Sequence, residues 1–341
     1  MTRPLREGDT VFVPAPSDWM RSMSPAAVRI GVERLTGWGF TVRLGEHVAA
    51  GGVLGVATVE ERLADLEQAL DDPSVGLVLP VYGGYNANDL LPGLDADRIR
   101  RSGAAWCGYS DTTALLVAVR AAGVPCLHGP SFSVLCDPHV LPETGESFLR
   151  AVRGESGYTM TAPTSYADDL WFLTPDAQGR DLYPSGGWRG HRAGVVEASA
   201  TGGNLETLLA LAGTPYQLDA AGSILLVENA MGTSDRAFVR DLTHLAQMGG
   251  LADIAGLVVG SFPRGSAFVD LDLLGDVVDR LLGDRDIPVL LNAAFSHVDP
   301  ILTLPLGPRL CLDTRTTPGI TVLEPLSGTH EPIRLHHGGP S

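Results

Sequence analysis

Apolar residues recur along the chain in short runs separated by amphipathic stretches, and this alternation sets the expected architecture. Gly8 to Ser17 reads as a first strand leaving into a loop, Pro25 to Gly37 as a helix, and Phe40 to Leu44 as a second strand. Thr58 to Leu70 places Leu63, Leu66 and Leu70 among charges at helical spacing, and Val75 to Pro80 is an unbroken apolar strand. Ala104 to Tyr109 is small and apolar, and Ala114 to Val119 continues as a helix ending near Gly123-Val124-Pro125, with a further strand before His128. After an irregular stretch, Arg192 to Ala198, Ser223 to Glu228, Gly256 to Gly260 and Pro288 to Leu291 read as strands. Between them, helices are expected from Thr201 through Leu211, Phe238 to Met248 and Leu271 to Leu282. A last strand, Ile320 to Leu323, precedes a polar end. Strands alternating with helices predict α/β architecture built on parallel sheets with crossover helices.

The irregular stretch, Thr161 to Gly190, carries Trp171, Phe172, Tyr183 and Trp188 but little periodicity. A loop this long is usually functional or a linker. The expected division is therefore residues 1–165, a connecting substrate loop at 166–190, and a second domain at 191–341.

The polar residues that interrupt this pattern fall at strand ends, where open α/β sheets bind ligands. Ser110 lies at the turn between the Ala104–Tyr109 strand and the following helix. A serine there projects its hydroxyl beyond the sheet, next to the N–H groups and positive dipole end of a helix. The local sequence is Gly108-Tyr109-Ser110-Asp111, and the same junction also suits a helix cap. Gly83-Gly84, just past the preceding strand, lets the backbone approach a ligand and present its amides, or simply makes a tight turn. Glu228 and His297 close two strands of the second half. A serine nucleophile needs a base, and the base needs an acid to fix its tautomer. A solvated strand-end acid and a structural histidine remain the alternatives for these two.

Composition narrows the chemistry. The chain has 341 residues, enough for one large or two medium domains, and a formal net charge of −16 that argues against nucleic acid or an anionic membrane as partner. All 24 basic residues are arginines, so Schiff-base lysine, Ser–Lys and P-loop chemistry are excluded. Cys107, Cys126, Cys136 and Cys311 form no C-x-x-C pair and no zinc spacing, and no metal or cofactor is expected. No apolar run approaches the roughly 20 residues of a membrane span, and the N-terminus lacks a signal-peptide core. A cytoplasmic location is the expectation.

Several motifs in order resemble the LD-carboxypeptidase family of serine peptidases. They are Val81-Tyr82-Gly83-Gly84-Tyr85-Asn86 with Leu90-Leu91-Pro92, Gly108 to Leu115, Gly202-Gly203-Asn204-Leu205 with Gly213-Thr214-Pro215-Tyr216, and Phe295-Ser296-His297 with Leu302 to Gly307. The resemblance runs from Gly8-Asp9 to about Gly307. It implies a triad of Ser110, Glu228 and His297 and an oxyanion hole from the amides of Gly84 and Asp111. It also implies an N-terminal flavodoxin-like domain, a C-terminal α/β domain, an active site at their interface, and a homodimer. One branch of the family trims D-alanine from murein tetrapeptides. The other resembles the microcin C immunity carboxypeptidase, which cuts the amide of aminoacyl- or peptidyl-nucleotide antibiotics. Asp169-Leu170-Trp171-Phe172 and Gly187-Trp188-Arg189 look like the immunity branch, with Trp171 matching a tryptophan that stacks on the nucleobase. Packing at the domain interface is the other role open to Trp171. Gly83 and Asn204 are further candidate substrate contacts. Where the immunity branch tends to carry a lysine after the triad acid, this chain has Asn229-Ala230-Met231-Gly232, and the nearest cation is Arg236. A small-ligand binding protein without catalysis stands as the alternative of another class. A glutamine amidotransferase is a weaker rival, because its nucleophile would be a cysteine.

Overall fold

A computed structural model describes residues 2–52, 55–173, 178–328 and 330–335; residues 174–177 of the connecting loop and the polar end at 336–341 lie outside the described residues. The strands that build the two main sheets are, in chain order, β1 (Thr10–Val13), β2 (Thr41–Leu44), β3 (Val75–Val78), β4 (Ala105–Gly108), β5 (Cys126–His128), β6 (Tyr158–Met160), β7 (Arg189–Arg192), β8 (Val195–Asn204), β9 (Ile224–Glu228), β10 (Gly256–Gly260), β11 (Val289–Ala293), β12 (Leu304–Leu306), β13 (Arg309–Asp313) and β14 (Gly319–Val322).

The first sheet has the order β12-β5-β4-β3-β1-β2. Strands β1 to β5 are parallel, and β12 joins antiparallel to β5. Every residue of β1, β3, β4 and β5 is buried, as expected for strands covered by helices on both faces. The edge strand β2, which carries Thr41 and Arg43, is only half-buried or exposed. The order 2-1-3-4-5 is the flavodoxin-like one, whose ligand crevice opens between β1 and β3.

The helices start where side chains can satisfy their free N–H groups. Ser24 caps Pro25–Gly37, with proline at the first helical position. Thr58 and Glu61 form a reciprocal capping box on Val59–Asp71. Asp95 caps Ala96–Ser102, which Gly103 ends in the left-handed region.

The second sheet has the order β6-β14-β13-β8-β9-β10-β11-β7. Its centre, β8 to β11, is parallel, and the flanking strands are antiparallel. Helices Asp235–Gln247 and Leu271–Leu282 pack Phe238, Leu242, Leu274 and Val278 onto its apolar strands. The two units trade strands: β6 precedes residue 165 yet pairs in the second sheet, and β12 crosses back to the first.

One expected element is different. The helix predicted from Thr201 begins only at Leu205, because β8 runs on through Asn204 beside β9. Gly202 and Gly203 carry φ of 118° and 141°, and a Cβ at Gly202 would fall 2.0 Å from the Leu226 carbonyl oxygen. Glycine is what lets this strand turn tightly against its neighbour. Within the connecting segment the described residues form a small antiparallel pair, Ser165–Tyr166 with Tyr183–Pro184, and a single helical turn at Trp171–Leu173.

Candidate active site

A cavity of about 490 Å³ opens beyond the strand ends of the first sheet. Met23, Tyr82 and Gly83 line it from the loops after β1 and β3, Tyr109 and Ser110 from the turn after β4, Trp171 from the connecting segment, and Met231 and His297 from the second unit. The β1 and β3 loops place it at the crevice the strand order dictates.

Ser110 stands in the left-handed region, at φ 57°, on a short turn, Ser110–Thr112, between β4 and the helix Thr113–Ala121. Such a backbone costs on the order of 1–3 kcal/mol for a residue with a side chain and persists only where its surroundings over-determine it. The surroundings here are tight. A Cβ at Gly108 would lie 2.6 Å from Thr112 Cγ2, and one at Gly83 would lie 2.5 Å from Ser110 Oγ and 3.2 Å from the Asp111 nitrogen. Gly83 is therefore the residue whose missing side chain brings the β3 loop onto the serine. Gly84 rests on Ser17, with a would-be Cβ 2.7 Å from its carbonyl oxygen. Neither the Gly84 nor the Asp111 amide has an acceptor among the described residues.

The Asp111 carboxylate, which sequence reasoning passed over in favour of its amide, is buried and accepts the Ala87 N–H at 2.8 Å. It ties the Gly83–Asn86 loop to the serine turn. An aspartate directly after the serine was the available signal, but its partner 24 residues upstream was not legible.

Glu228 closes β9 with its side chain fully buried, and its Oε2 accepts from His297 Nδ1 at 2.7 Å. A carboxylate only accepts, so Nδ1 carries the proton and Nε2 is left free. Asn204 is buried at the end of β8, in register with Glu228, and donates from Nδ2 to Glu228 Oε1 at 2.9 Å. Its Oδ1 accepts from the Thr207 amide at 3.1 Å, so both ends of the Asn204 side chain are engaged within the protein. Burial pushes the Glu228 carboxyl up, but the His297 charge and the bonds from His297 and Asn204 outweigh it and hold the group below the ordinary carboxylate range. Burial pushes His297 down, while the Glu228 charge and hydrogen bond, the charge of Asp299 and a backbone bond at Asn229 leave it above its ordinary value.

The His297 turn has its own supports. Ser296 Oγ donates to the Ser261 carbonyl at 2.6 Å, and Gly260 leaves room for Glu228 and Ser296 to pass, each Cβ 2.9 Å from where its own would be. His128, fully buried at the end of β5, donates from Nε2 to the Phe295 carbonyl at 2.8 Å; burial pushes its pKa down, which favours the neutral ring. The Tyr109 ring packs on His297 with centroids 4.7 Å apart. The strand-end placement of His128 was a partial signal for this role.

Two family models match the chain. The LD-carboxypeptidase N-terminal domain matches residues 11–129, and the LD-carboxypeptidase C-terminal domain matches residues 197–312. The chain belongs to the LD-carboxypeptidase family. It is 30% identical to the microcin C7 self-immunity protein MccF of Escherichia coli over 328 residues, covering 92% of this chain and 93% of that one. It is 32% identical to the murein tetrapeptide carboxypeptidase of Pseudomonas aeruginosa over 231 residues, covering 66% and 68%. The crystal structure of an MccF-like protein from Bacillus anthracis superposes with a TM-score of 0.88 at 30% identity, over 95% of this chain and 99% of that one. A structure of MccF in complex with glutamyl sulfamoyl guanosine gives a TM-score of 0.85 at 27% identity, over 96% and 99%. The two-domain α/β fold and a carboxypeptidase-family hydrolase follow from these matches. Among the described residues, no helix is long and apolar enough to cross a membrane.

Proposed function

We propose that this carboxypeptidase is a serine enzyme of the immunity-like branch, hydrolysing the amide of aminoacyl- or peptidyl-nucleotide compounds through an acyl-enzyme. The observation that carries the reading is the buried Glu228–His297 pair, 2.7 Å apart, with His297 in the same cavity as the strained Ser110.

In this mechanism Ser110 Oγ attacks the scissile carbonyl carbon as its proton passes to His297 Nε2. Glu228 holds the imidazole in the needed tautomer and stabilises its cation. The amides of Gly84 and Asp111 receive the oxyanion, a term worth about 3–4 kcal/mol per donor in comparable sites. Collapse expels the amine, which takes the proton from His297. Water, deprotonated by the same histidine, then hydrolyses the ester and regenerates Ser110. Asn204 serves the reaction through Glu228.

Trp171 supports the nucleotide reading. It forms part of the cavity wall, edge-on to Phe172 at 6.0 Å, and an indole face suits a nucleobase. MccF, the relative solved with an aminoacyl-sulfamoyl nucleoside, points the same way. Arg236 is not among the cavity-lining residues, and the charged side chains there besides His297 are Asp137, Asp169 and Asp299. Recognition of the nucleotide part therefore falls to neutral groups: stacking, hydroxyls and backbone amides.

Incubation with aspartyl sulfamoyl adenosine and, separately, with a murein tetrapeptide tests the reading. Cleavage of the first supports it. Release of D-alanine from the second, with the first left intact, assigns the murein role instead. Hydrolysis undiminished in Ser110→Ala rejects the triad, and binding without turnover of either compound points to a non-catalytic binding protein. A homodimer in the cytoplasm is the accompanying expectation, checked by sedimentation and cell fractionation.

A further inference from the structure

The connecting segment is anchored by one buried cation. The Arg180 side chain is 3% exposed and meets three carboxylates. Nη1 donates to Asp137 Oδ2 at 2.5 Å, Nε to Asp169 Oδ2 at 2.9 Å, and Nη2 to Asp299 Oδ2 at 2.8 Å. Nη2 also donates to the Asp169 carbonyl at 2.9 Å.

These partners come from three parts of the chain. Asp137 follows a short helix, Phe132–Leu135, of the first unit. Asp169 lies two residues before Trp171. Asp299 lies two residues after His297, and its backbone pairs with Ala167 through reciprocal 2.9 Å bonds. All three aspartates line the cavity. A planar guanidinium can satisfy several acceptors at once in a fixed fork, which an ammonium cannot match.

We propose that Arg180 is a positioning residue for catalysis: it draws Asp137, Asp169 and Asp299 together, seats the Trp171 wall over the Ser110 cavity and fixes the turn that presents His297. This rests on the reading that Ser110 and His297 perform the chemistry. The arrangement has an electrostatic consequence as well as a steric one. The groups facing His297 are Glu228 on Nδ1, Asp299, the Tyr109 ring, and His128 behind Phe295. Arg180 faces Asp137, Asp169 and Asp299, and Arg34 adds its positive charge near Asp137. Removing Arg180 leaves uncompensated negative charge beside His297, which favours the imidazolium. The neutral base then forms only at higher pH. Removing one carboxylate does the reverse.

The test is the pH dependence of kcat/KM for Arg180→Met, Arg180→Lys and Asp169→Asn on whichever compound, aspartyl sulfamoyl adenosine or murein tetrapeptide, the wild type hydrolyses. Arg180→Met is expected to raise KM and to lower kcat/KM by roughly tenfold or more. Its acid limb moves to higher pH, and added guanidinium restores part of the rate. Arg180→Lys lies between Arg180→Met and wild type. Asp169→Asn keeps an acceptor and moves the limb to lower pH. Should Arg180→Met fail to fold, by circular dichroism, the downward shift in Asp169→Asn decides alone. Limbs that do not move, or that move in the same direction in both variants, overturn the proposal. Ser110→Ala separates the two levels: if it retains activity, the triad reading fails, and if it is inactive while the limbs stay put, only the role of Arg180 fails.

Discussion

The two halves of the candidate site are held by different physics. Around Ser110 the working groups are neutral and the control is steric. A left-handed backbone, two glycines that admit no side chain, and a loop pressed to within van der Waals contact define where the hydroxyl points. Around His297 the control is electrostatic: a buried carboxylate, an amide behind it, and carbonyls that receive Ser296 and His128. Ser110 is positioned by shape and His297 by charge. Added volume should therefore be what disables the first region, and loss of charge at constant volume what disables the second.

Ser110→Ala sets the floor for that comparison, with hydrolysis expected to fall by roughly 10⁴-fold or more in a steady-state assay. Next is Glu228→Gln, which keeps the shape and removes the charge. A fall of about 10³–10⁴-fold in kcat is expected, as for the loss of an orienting acid elsewhere. The wild-type pH profile bears on the same region. His297 lies above its ordinary 6.5 and must be neutral to accept a proton, so kcat/KM should rise with pH through a value above 6.5. In Glu228→Gln that limb should move to lower pH, because the group favouring the imidazolium has gone; an unmoved limb would remove Glu228 from the base.

Gly83→Ala adds one methyl group on the steric side. With its Cβ 2.5 Å from Ser110 Oγ, the β3 loop must retreat, and a loss of about 10²-fold in kcat with a near-native melting temperature is expected. Activity equal to wild type would mean the loop does not set the serine. Asp111 sharpens the contrast within one residue. Asp111→Asn retains an acceptor for the Ala87 N–H and should cost less than about tenfold, whereas Asp111→Pro removes the amide and should approach Ser110→Ala. Comparable rates in the two folded proteins would refute the oxyanion role. Ser296→Ala should be smallest, a few-fold in kcat, since it deletes a single neutral hydrogen bond worth about 1 kcal/mol.

Much of this was legible before any coordinates. The fully buried strands β1, β3, β4 and β9 are runs of apolar residues whose ends are punctuated by proline, glycine or an acid. Ser110, Glu228 and His297 stood out because each broke such a pattern at a strand end. The strands β12 and β13 are hard to read in the sequence, because Leu304-Pro305-Leu306 and Arg309 to Asp313 are short and proline-interrupted or charged; β12 pairs only with the distant β5, and β13 pairs with the distant β8 as well as the nearby β14. The extension of β8 through Gly202-Gly203 reads in the sequence as a helix start, since glycines there resemble a turn until Leu226 is placed beside them. Asp111 stood out only by its place after Ser110, with nothing local to point its carboxylate to Ala87, and Arg180 carried no local signal at all.

The sequence by itself determined the alternation of strand and helix, the absence of lysine chemistry and the placement of Ser110, Glu228 and His297 at or just past strand ends. These depend on near neighbours and side-chain type, which are written in order along the chain. Only the tertiary structure decided that Glu228 meets His297 across 69 residues, and that Asp111 braces the Gly83–Asn86 loop. Only it could show three aspartates from three parts of the chain converging on Arg180. Hydrogen bonds and charge pairs act over a few ångströms of space whatever the sequence separation, so their partners exist only once the sheets have brought the strand ends together.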